Sequence, residues 1–165
     1  PSTGKALLEK YKGYIDDKKV MRIPGSNCGI QLQQGKEAYD AAIAALEGKT
    51  AVPELEYSDA LGDACKEYVG MLAQADDPNS VEKFTENVCG KHGDFVGSLS
   101  TLAEFGGETP EQTFVNLLAQ DGSPNKNYIN TLCDKKFKVI GLHFAEHTVY
   151  RYCTFIGLAV GYKPK

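Results

Sequence analysis

The last third of the chain contains two runs rich in β-branched and aromatic residues, Phe137–Phe144 and Tyr150–Val160. Only the short segment Ala145–Thr148 separates them, so the spacing predicts an antiparallel β-hairpin. Upstream of residue 120 the apolar residues recur with a helical period instead. Helices in the first two thirds and strands at the end predict an α+β fold.

Three helices are predicted within the first 75 residues. The first covers 5–15 and the second runs from about Lys36 to Leu46. Ser58 is a suitable N-cap for the third helix. This helix has the clearest periodic pattern of apolar residues. Its apolar residues recur at i, i+3, i+4, i+7, i+8 and i+11, which places them on one helix face. They are Leu61, Ala64, Cys65, Tyr68, Val69 and Leu72.

Shorter signals follow the third helix. Residues 76–79 form a turn signal, after which Ser80 is expected to cap a short helix with Val81, Phe84 and Val88 inward. The glycine-rich stretch 90–107 is predicted to be a long loop. Thr109–Gln112 is a capping box with Pro at the first helical position, so a helix carrying Phe114, Leu117 and Leu118 should begin there. Residues 121–125 read as a turn.

The chain length and charge limit the classes of protein to consider. A chain of 165 residues fits one domain, with 1–50 as an N-terminal helical segment and 51–165 as the core. The formal net charge is -4, which disfavours nucleic-acid binding. No apolar run is long enough for a membrane span. No motif calls for a cofactor.

The five cysteines contain no C-x-x-C pair, so zinc-ribbon and thioredoxin-type sites have no support. Their number favours an oxidising compartment, so we expect an extracellular protein or one in the secretory pathway. The chain begins with Pro1, so either a signal segment has been removed or the sequence is a fragment. The candidate disulfides are Cys133 with Cys153 and Cys65 with Cys89, and Cys28 is then the odd cysteine.

The three histidines give one candidate metal site. His92 and Glu104 could act as ligands together with His143 or His147. Nothing in the spacing brings these residues together, so surface or hydrogen-bonded core histidines are the simpler expectation. Cys65 lies on the apolar helix face and is expected to be buried rather than nucleophilic.

Several motifs occur in a familiar order along nearly the whole chain. Pro53–Val69 matches the pattern P-L-x-x-S-x-x-L-x-x-A-A-x-x-H-V, with Tyr68 in place of the histidine. Asp121–Pro124 matches D-D-G-x-P, and Phe137–Gly141 matches F-x-x-I-G-V. In this order and spacing the chain resembles the CAP superfamily, also called SCP-like extracellular proteins, in the divergent variety found in eukaryotic microbes.

The resemblance implies a three-layer α-β-α sandwich that ends in an antiparallel hairpin. Many CAP proteins carry a cleft tetrad of two His and two Glu that binds a divalent metal. At three of the matching positions this chain has Tyr68, Thr101 and Tyr128. Neutral Tyr and Thr cannot replace imidazole and carboxylate ligands, so we expect no metal and no enzymatic activity.

The preferred hypothesis is therefore a secreted, non-enzymatic CAP-like domain with a degenerate tetrad. It would act as a structural or protein-interaction module within a larger assembly. A lipid- or sterol-binding CAP protein is the first alternative, with an apolar groove near Phe95, Leu99, Leu102 and Phe105. A metal-dependent hydrolase with relocated ligands is the second.

Overall fold

A computed structural model of the chain describes residues 1–74, 83–84 and 88–165. The predicted turn at 76–79 and the Ser80 cap with Val81 lie outside the described residues. Phe84 and Val88, which were expected to point inward from that region, are both buried. In the part of the chain that is described, no helix is both long and apolar enough to cross a membrane.

The described chain divides into two compact units. The helical unit consists of 1–51 and 114–133, and the sheet unit consists of 52–113 and 134–165. The N-terminal part of the helical unit ends at residue 51. The helical unit also takes in a segment from the middle of the chain, which no pattern in the sequence assigns to it.

The helical unit is built from four helices and two very short strands. They are α1 (Ser2–Lys12), β1 (Val20–Met21), β2 (Ile30–Gln31), α2 (Lys36–Leu46), α5 (Pro110–Ala119) and α6 (Asn127–Leu132). The first residues of α5 belong to the sheet unit. The core of this unit includes Leu8, Tyr39, Ala42, Val115 and Ile129, each with 1% or less of its surface exposed. The second predicted helix is confirmed with its boundaries, whereas α6 was not predicted.

The first helix ends before the predicted residue 15. Tyr14 and Ile15 keep the apolar character of the helix, but they leave it to pair with the next segment. The Tyr14 carbonyl accepts a hydrogen bond from the Arg22 amide at 2.9 Å, and Ile15 forms a β-bridge with Met21. Ile15 is still buried, so the apolar pattern predicted its burial correctly and its conformation wrongly.

The predicted turn at residues 121–125 positions the start of α2. The Asp121 carboxylate accepts hydrogen bonds from the backbone amides of Gln33, Gln34 and Gly35 at 2.7, 2.8 and 3.3 Å. These amides precede α2, where no helical carbonyl could accept from them. Gly35, the N-cap residue, has a φ of 66°, a conformation that favours glycine.

The sheet unit contains a four-stranded sheet, two helices and the start of α5. Its elements are β3 (Glu56–Tyr57), α3 (Asp59–Gln74), α4 (Gly90–His92), β4 (Gly93–Phe105), β5 (Val139–His147) and β6 (Arg151–Pro164). The strand order among the described residues is β3-β5-β6-β4, with β3 parallel to β5 and the other neighbours antiparallel. Mixed α+β is therefore the observed fold class.

The predicted hairpin is confirmed, but its turn lies at residues 148–150, later than expected. Cys153 consequently pairs with Ala145 and not with residue 139, which pairs with Ala159. All five cysteines lie within the described residues and have free thiols there, so neither candidate disulfide is formed.

The predicted glycine-rich loop at 90–107 is wrong, because most of it forms the 13-residue strand β4. This strand pairs with β6 from Gly93 opposite Pro164 to Phe105 opposite Cys153. One glycine of this segment has a defined role in the strand. Gly97, with a φ of 73°, lies at the irregularity in register between Val96 and Leu99.

Helix α3 packs on one face of the sheet, here called the α3 face. Its predicted apolar stripe is confirmed, since Leu61, Ala64, Cys65, Val69 and Leu72 are buried. Contact is closest at Gly141 of β5, where an added Cβ would lie 2.5 Å from the backbone of Leu61 and Gly62. Ser58 caps α3 as predicted, its hydroxyl accepting from the Leu61 amide at 3.2 Å.

Candidate functional site

Tyr68 is the one member of the α3 stripe that is only partly buried. Its ring packs against Phe155 of β6 with centroids 4.6 Å apart and against Phe84 at 5.4 Å. Phe84 and Phe155 are themselves 4.9 Å apart in an edge-to-face arrangement. Three rings at these distances form a mutually supporting aromatic cluster.

This cluster forms one wall of a cleft of about 270 Å³. Leu99 and Thr101 of β4 line it from the α3 face of the sheet, because alternate residues of a strand share a face. The described residues that line the cleft are Tyr68, Lys83, Phe84, Leu99, Thr101 and Phe155. The cleft therefore joins side chains from α3, β4, β6 and the short described segment at 83–84.

The described lining residues are apolar apart from two hydroxyls and one ammonium group. Burial raises the pKa of the Tyr68 hydroxyl, so this group stays neutral at physiological pH. Thr101 is exposed at the cleft rim, and Lys83 supplies the positive charge. Such a site can hold an apolar group and donate hydrogen bonds at its edge. None of the described lining residues carries an imidazole or a carboxylate that could act as a general base.

The structure brings together two of the three positions at which the sequence resemblance predicted a degenerate tetrad. Tyr68 and Thr101 both line the cleft, although 33 positions separate them in the sequence. Tyr128 lies on α6 in the helical unit.

The four residues of the predicted apolar groove do not form one surface. Leu99 lines the cleft, and Phe105 lies on the same sheet face but contacts His147 and Tyr150. Leu102 is buried on the opposite face, opposite Ile156 in the register, because the strand alternates. Phe95 is 41% exposed near the start of β4. Because this segment was predicted to be a loop, the sequence provided no reason to place alternate residues on opposite faces.

The relocated metal ligands are far apart. His92 precedes β4 and Glu104 is near its end, so the strand separates them by on the order of 30 Å. His92 instead contacts Glu67 of α3, with Nε2 and Oε2 2.7 Å apart. That contact, together with Lys91, lowers the pKa of the half-buried Glu67 carboxyl. Within the described ranges, no three His, Cys, Asp or Glu residues are grouped closely enough to hold a metal.

Glu104 and His147 are both buried but have different surroundings. Glu104 accepts a hydrogen bond from the Gly107 amide at 3.1 Å and lies on the face opposite α3. The Nδ1 atom of His147 accepts from the amides of Val149 and Tyr150 at 3.0 and 3.1 Å, which stabilises the hairpin turn. Its Nε2 is buried and has no hydrogen-bond partner among the described residues. His147 is thus a structural residue of the turn.

His143 is a partly buried residue of β5 and pairs with Phe155 in the register. Its desolvation, followed by the positive charge of Lys66, lowers the pKa of its imidazole. It is therefore mostly neutral at neutral pH. It does not belong to the lining of the cleft.

Sequence reasoning missed Lys83, Phe84 and Phe155 as site residues. Phe155 lies within a continuous apolar run of β6, and nothing in that run marks one residue as facing a cleft. Phe84 was predicted to point inward, but the sequence did not indicate which residues it would contact. The missing information was the strand pairing, which brings Phe155 next to β4 and under α3.

Known proteins give little guidance to the role of this cleft. No family model matches the chain, and no curated protein matches it. Among solved structures it is similar to an outer surface protein from Borrelia burgdorferi, with a TM-score of 0.49 and 18% sequence identity. The match covers 84% of this chain and 100% of that one.

Proposed function

We propose that this protein is a non-enzymatic binding module whose cleft accepts an apolar side chain of a partner protein. One observation carries the proposal: the aromatic cluster of Tyr68, Phe84 and Phe155 forms the wall of an open cleft. Aromatic rings that line a concave site provide a large apolar contact area at low entropic cost. The residues available there favour binding over catalysis.

The size of the cleft favours a side chain over a whole lipid. Pockets that enclose small ligands usually have volumes of roughly 300–1,000 Å³. The cleft has about 270 Å³, at the lower limit of that range. An aromatic or branched aliphatic side chain fits this volume, whereas a sterol would extend well beyond it.

The family assignment belongs to the same proposal. A CAP-like domain with a degenerate tetrad accounts for Tyr68 and Thr101 lying together, since both replace ligand positions of one cleft. We also propose that the protein works outside the cytoplasm, on the basis of that resemblance and of its cysteine content. Thiol alkylation during purification from the natural source would test the compartment. Cysteines that escape alkylation after denaturation would indicate oxidation there.

Lipid binding is the second candidate, and the apolar lining of the cleft favours it. Oleate and N-acetyl-phenylalaninamide separate the two candidates when each competes with anilinonaphthalene sulfonate, a fluorescent probe of apolar surface. Displacement by the amide alone supports a side-chain site. Displacement by oleate alone supports the lipid alternative.

A pair of variants tests the cleft itself. Thr101→Trp should fill it and abolish most probe fluorescence, while the fold is kept because Thr101 is exposed. Ser98→Trp places the same side chain at another exposed position of β4 and should leave fluorescence unchanged. Equal fluorescence in both variants and in the wild type would show that the cleft does not bind the probe and would count against the proposal.

A further inference from the structure

One edge of the sheet is paired for only part of its length. Strand β3 contributes two residues, Glu56 and Tyr57, which pair with Val139 and Ile140 of β5. Strand β5 continues to His147. Within the described ranges, no strand lies beside β5 on this side beyond residue 140. An unpaired strand edge is a template for another strand.

The hydrogen bonds of β3 show which backbone groups of β5 point outward. The carbonyls of Lys138 and Ile140 accept from the amides of Glu56 and Ser58 at 2.8 and 2.9 Å. Backbone groups alternate in direction along a strand, so those of residues 142, 144 and 146 also point outward. The Leu142 carbonyl is already engaged by the Tyr57 hydroxyl at 3.3 Å.

The side chains on this edge are apolar and exposed. Leu142 is 39% exposed and Phe144 is 42% exposed. Phe144 is held in place by stacking on Tyr152, with ring centroids 5.2 Å apart. Residues 141–147 contain neither lysine nor proline, the residues that commonly protect an edge strand from pairing.

We propose that a second copy of this chain pairs with this edge, β5 against β5 and antiparallel, with the two-fold axis at Phe144. An axis at any residue from Leu142 to Glu146 would align the outward-pointing groups of the two strands. An axis at His143 would place Glu146 of the second copy beside Ile140, where β3 already lies. An axis at Ala145 would place each Phe144 opposite Glu146 of the second copy, so that the two rings do not meet. An axis at Leu142 would place Phe144 of the second copy beside Ile140, where β3 already lies. An axis at Glu146 would place two carboxylates directly opposite each other, which is unfavourable.

The axis at Phe144 avoids the overlap with β3 and the facing carboxylates, and it brings the two Phe144 rings together. It places the two Phe144 rings opposite each other, Leu142 opposite Glu146 of the second copy, and His143 opposite Ala145 of the second copy. No like charges face each other, and the apolar surface of Leu142, Phe144 and Tyr152 becomes continuous across the dimer. A closed two-fold pairing of this kind uses the same patch on both copies. The proposal does not depend on the cleft or its ligand.

Sedimentation equilibrium of the whole chain over a wide concentration range tests the dimer. We expect a reversible rise from 17.9 kDa toward twice that mass. Phe144→Lys should hold the protein at the monomer mass, because two ammonium groups would then face each other at the axis. Val149→Lys is the matched control, since Val149 is 60% exposed but lies in the turn beyond the paired residues, and should still dimerise.

Disulfide trapping tests the register separately, in a Cys28→Ser background that removes the exposed native thiol. Copper phenanthroline with oxygen supplies the oxidant: two thiols lose two electrons and two protons, and one S–S bond forms. Phe144→Cys should cross-link rapidly to the same residue of the second copy, whereas Glu146→Cys should not. A wild-type protein that stays monomeric, a Phe144→Lys dimer, or faster cross-linking through Glu146→Cys would each overturn the proposal.

Discussion

In the helical unit, segments from the N-terminus and from the middle of the chain enclose a core of aliphatic residues with Tyr11 and Tyr39. In the sheet unit, α3 packs on a sheet whose core also contains Cys65, Cys89 and Cys153. The sheet unit contains the cleft and the β5 edge, which is only partly paired within the described ranges. It also contains two buried atoms, His147 Nε2 and Thr154 Oγ1, that have no hydrogen-bond partner in the part of the chain that the structure describes.

The comparison indicates where binding should be expected. Incomplete packing and unsatisfied polar groups lower stability, so they are concentrated where a protein interacts with something else. The helical unit is fixed by a carboxylate that satisfies three backbone amides. We therefore expect mutations in the helical unit to affect stability alone, and mutations in the sheet unit to affect stability and binding together.

The largest effect is expected at Gly141, where α3 approaches β5 most closely. Gly141→Ala would place a methyl group 2.5 Å from backbone atoms of Leu61 and Gly62, which cannot move like a side chain. The free energy of unfolding, measured by denaturant titration, should fall by about 3 kcal/mol. Gly161→Ala is the control, because its added Cβ would be at an ordinary 3.5 Å from Val96. Equal stability of the two variants would contradict the close approach.

Asp121→Ala should have the next largest effect, in the helical unit. It removes a charged acceptor and leaves three amides before α2 without their partner. Hydrogen bonds to charged groups contribute roughly 1.5–3 kcal/mol, so we expect a loss of about 2–3 kcal/mol. Ser123→Ala in the same turn should cost little, since its one side-chain hydrogen bond is exposed.

Amide hydrogen exchange sharpens that prediction. In Asp121→Ala, protection should fall first at Gln33, Gln34, Gly35 and the start of α2. If protection instead fell uniformly over the sheet unit, the distinction between the two units would be wrong.

Thr154→Val should stabilise the sheet unit. Thr154 is 6% exposed, and its Oγ1 has no hydrogen-bond partner among the residues that the structure describes. Replacing the hydroxyl by a methyl group of similar shape therefore removes a buried polar atom. Valine also suits a strand. We expect a gain of about 1 kcal/mol in the free energy of unfolding. Thr101→Val, at an exposed position of β4, should change stability little. A loss of stability in Thr154→Val would show that the hydroxyl is satisfied.

The smallest effect is a difference in reactivity among the five thiols of the unmodified protein, which involves no change in its stability. Cys28 is exposed and should react quickly with dithionitrobenzoate in the folded protein. Cys65, Cys89 and Cys153 are buried, and burial raises the pKa of the Cys65 thiol to about 12. These three should react only after denaturation. Fewer than five reactive thiols in the denatured protein would support the disulfides that the sequence suggested.

The features determined by the sequence alone depend on residues close together in the chain. Examples are the α3 stripe, the hairpin and the capping box, in which the Thr109 hydroxyl accepts from the Gln112 amide at 3.1 Å. Each is decided within a few turns or one strand pair, so a local pattern is sufficient to predict it.

Only the tertiary structure decided β4 and the cleft. The stretch 90–107 looks like a loop because its glycines carry no strand preference, and it becomes a strand by pairing with β6, about 60 residues later. That pairing places Leu99 and Thr101 beside Phe155, and α3 then brings Tyr68 over them. The choice among distant partners depends on the packing of the whole sheet unit, which no short window of sequence contains.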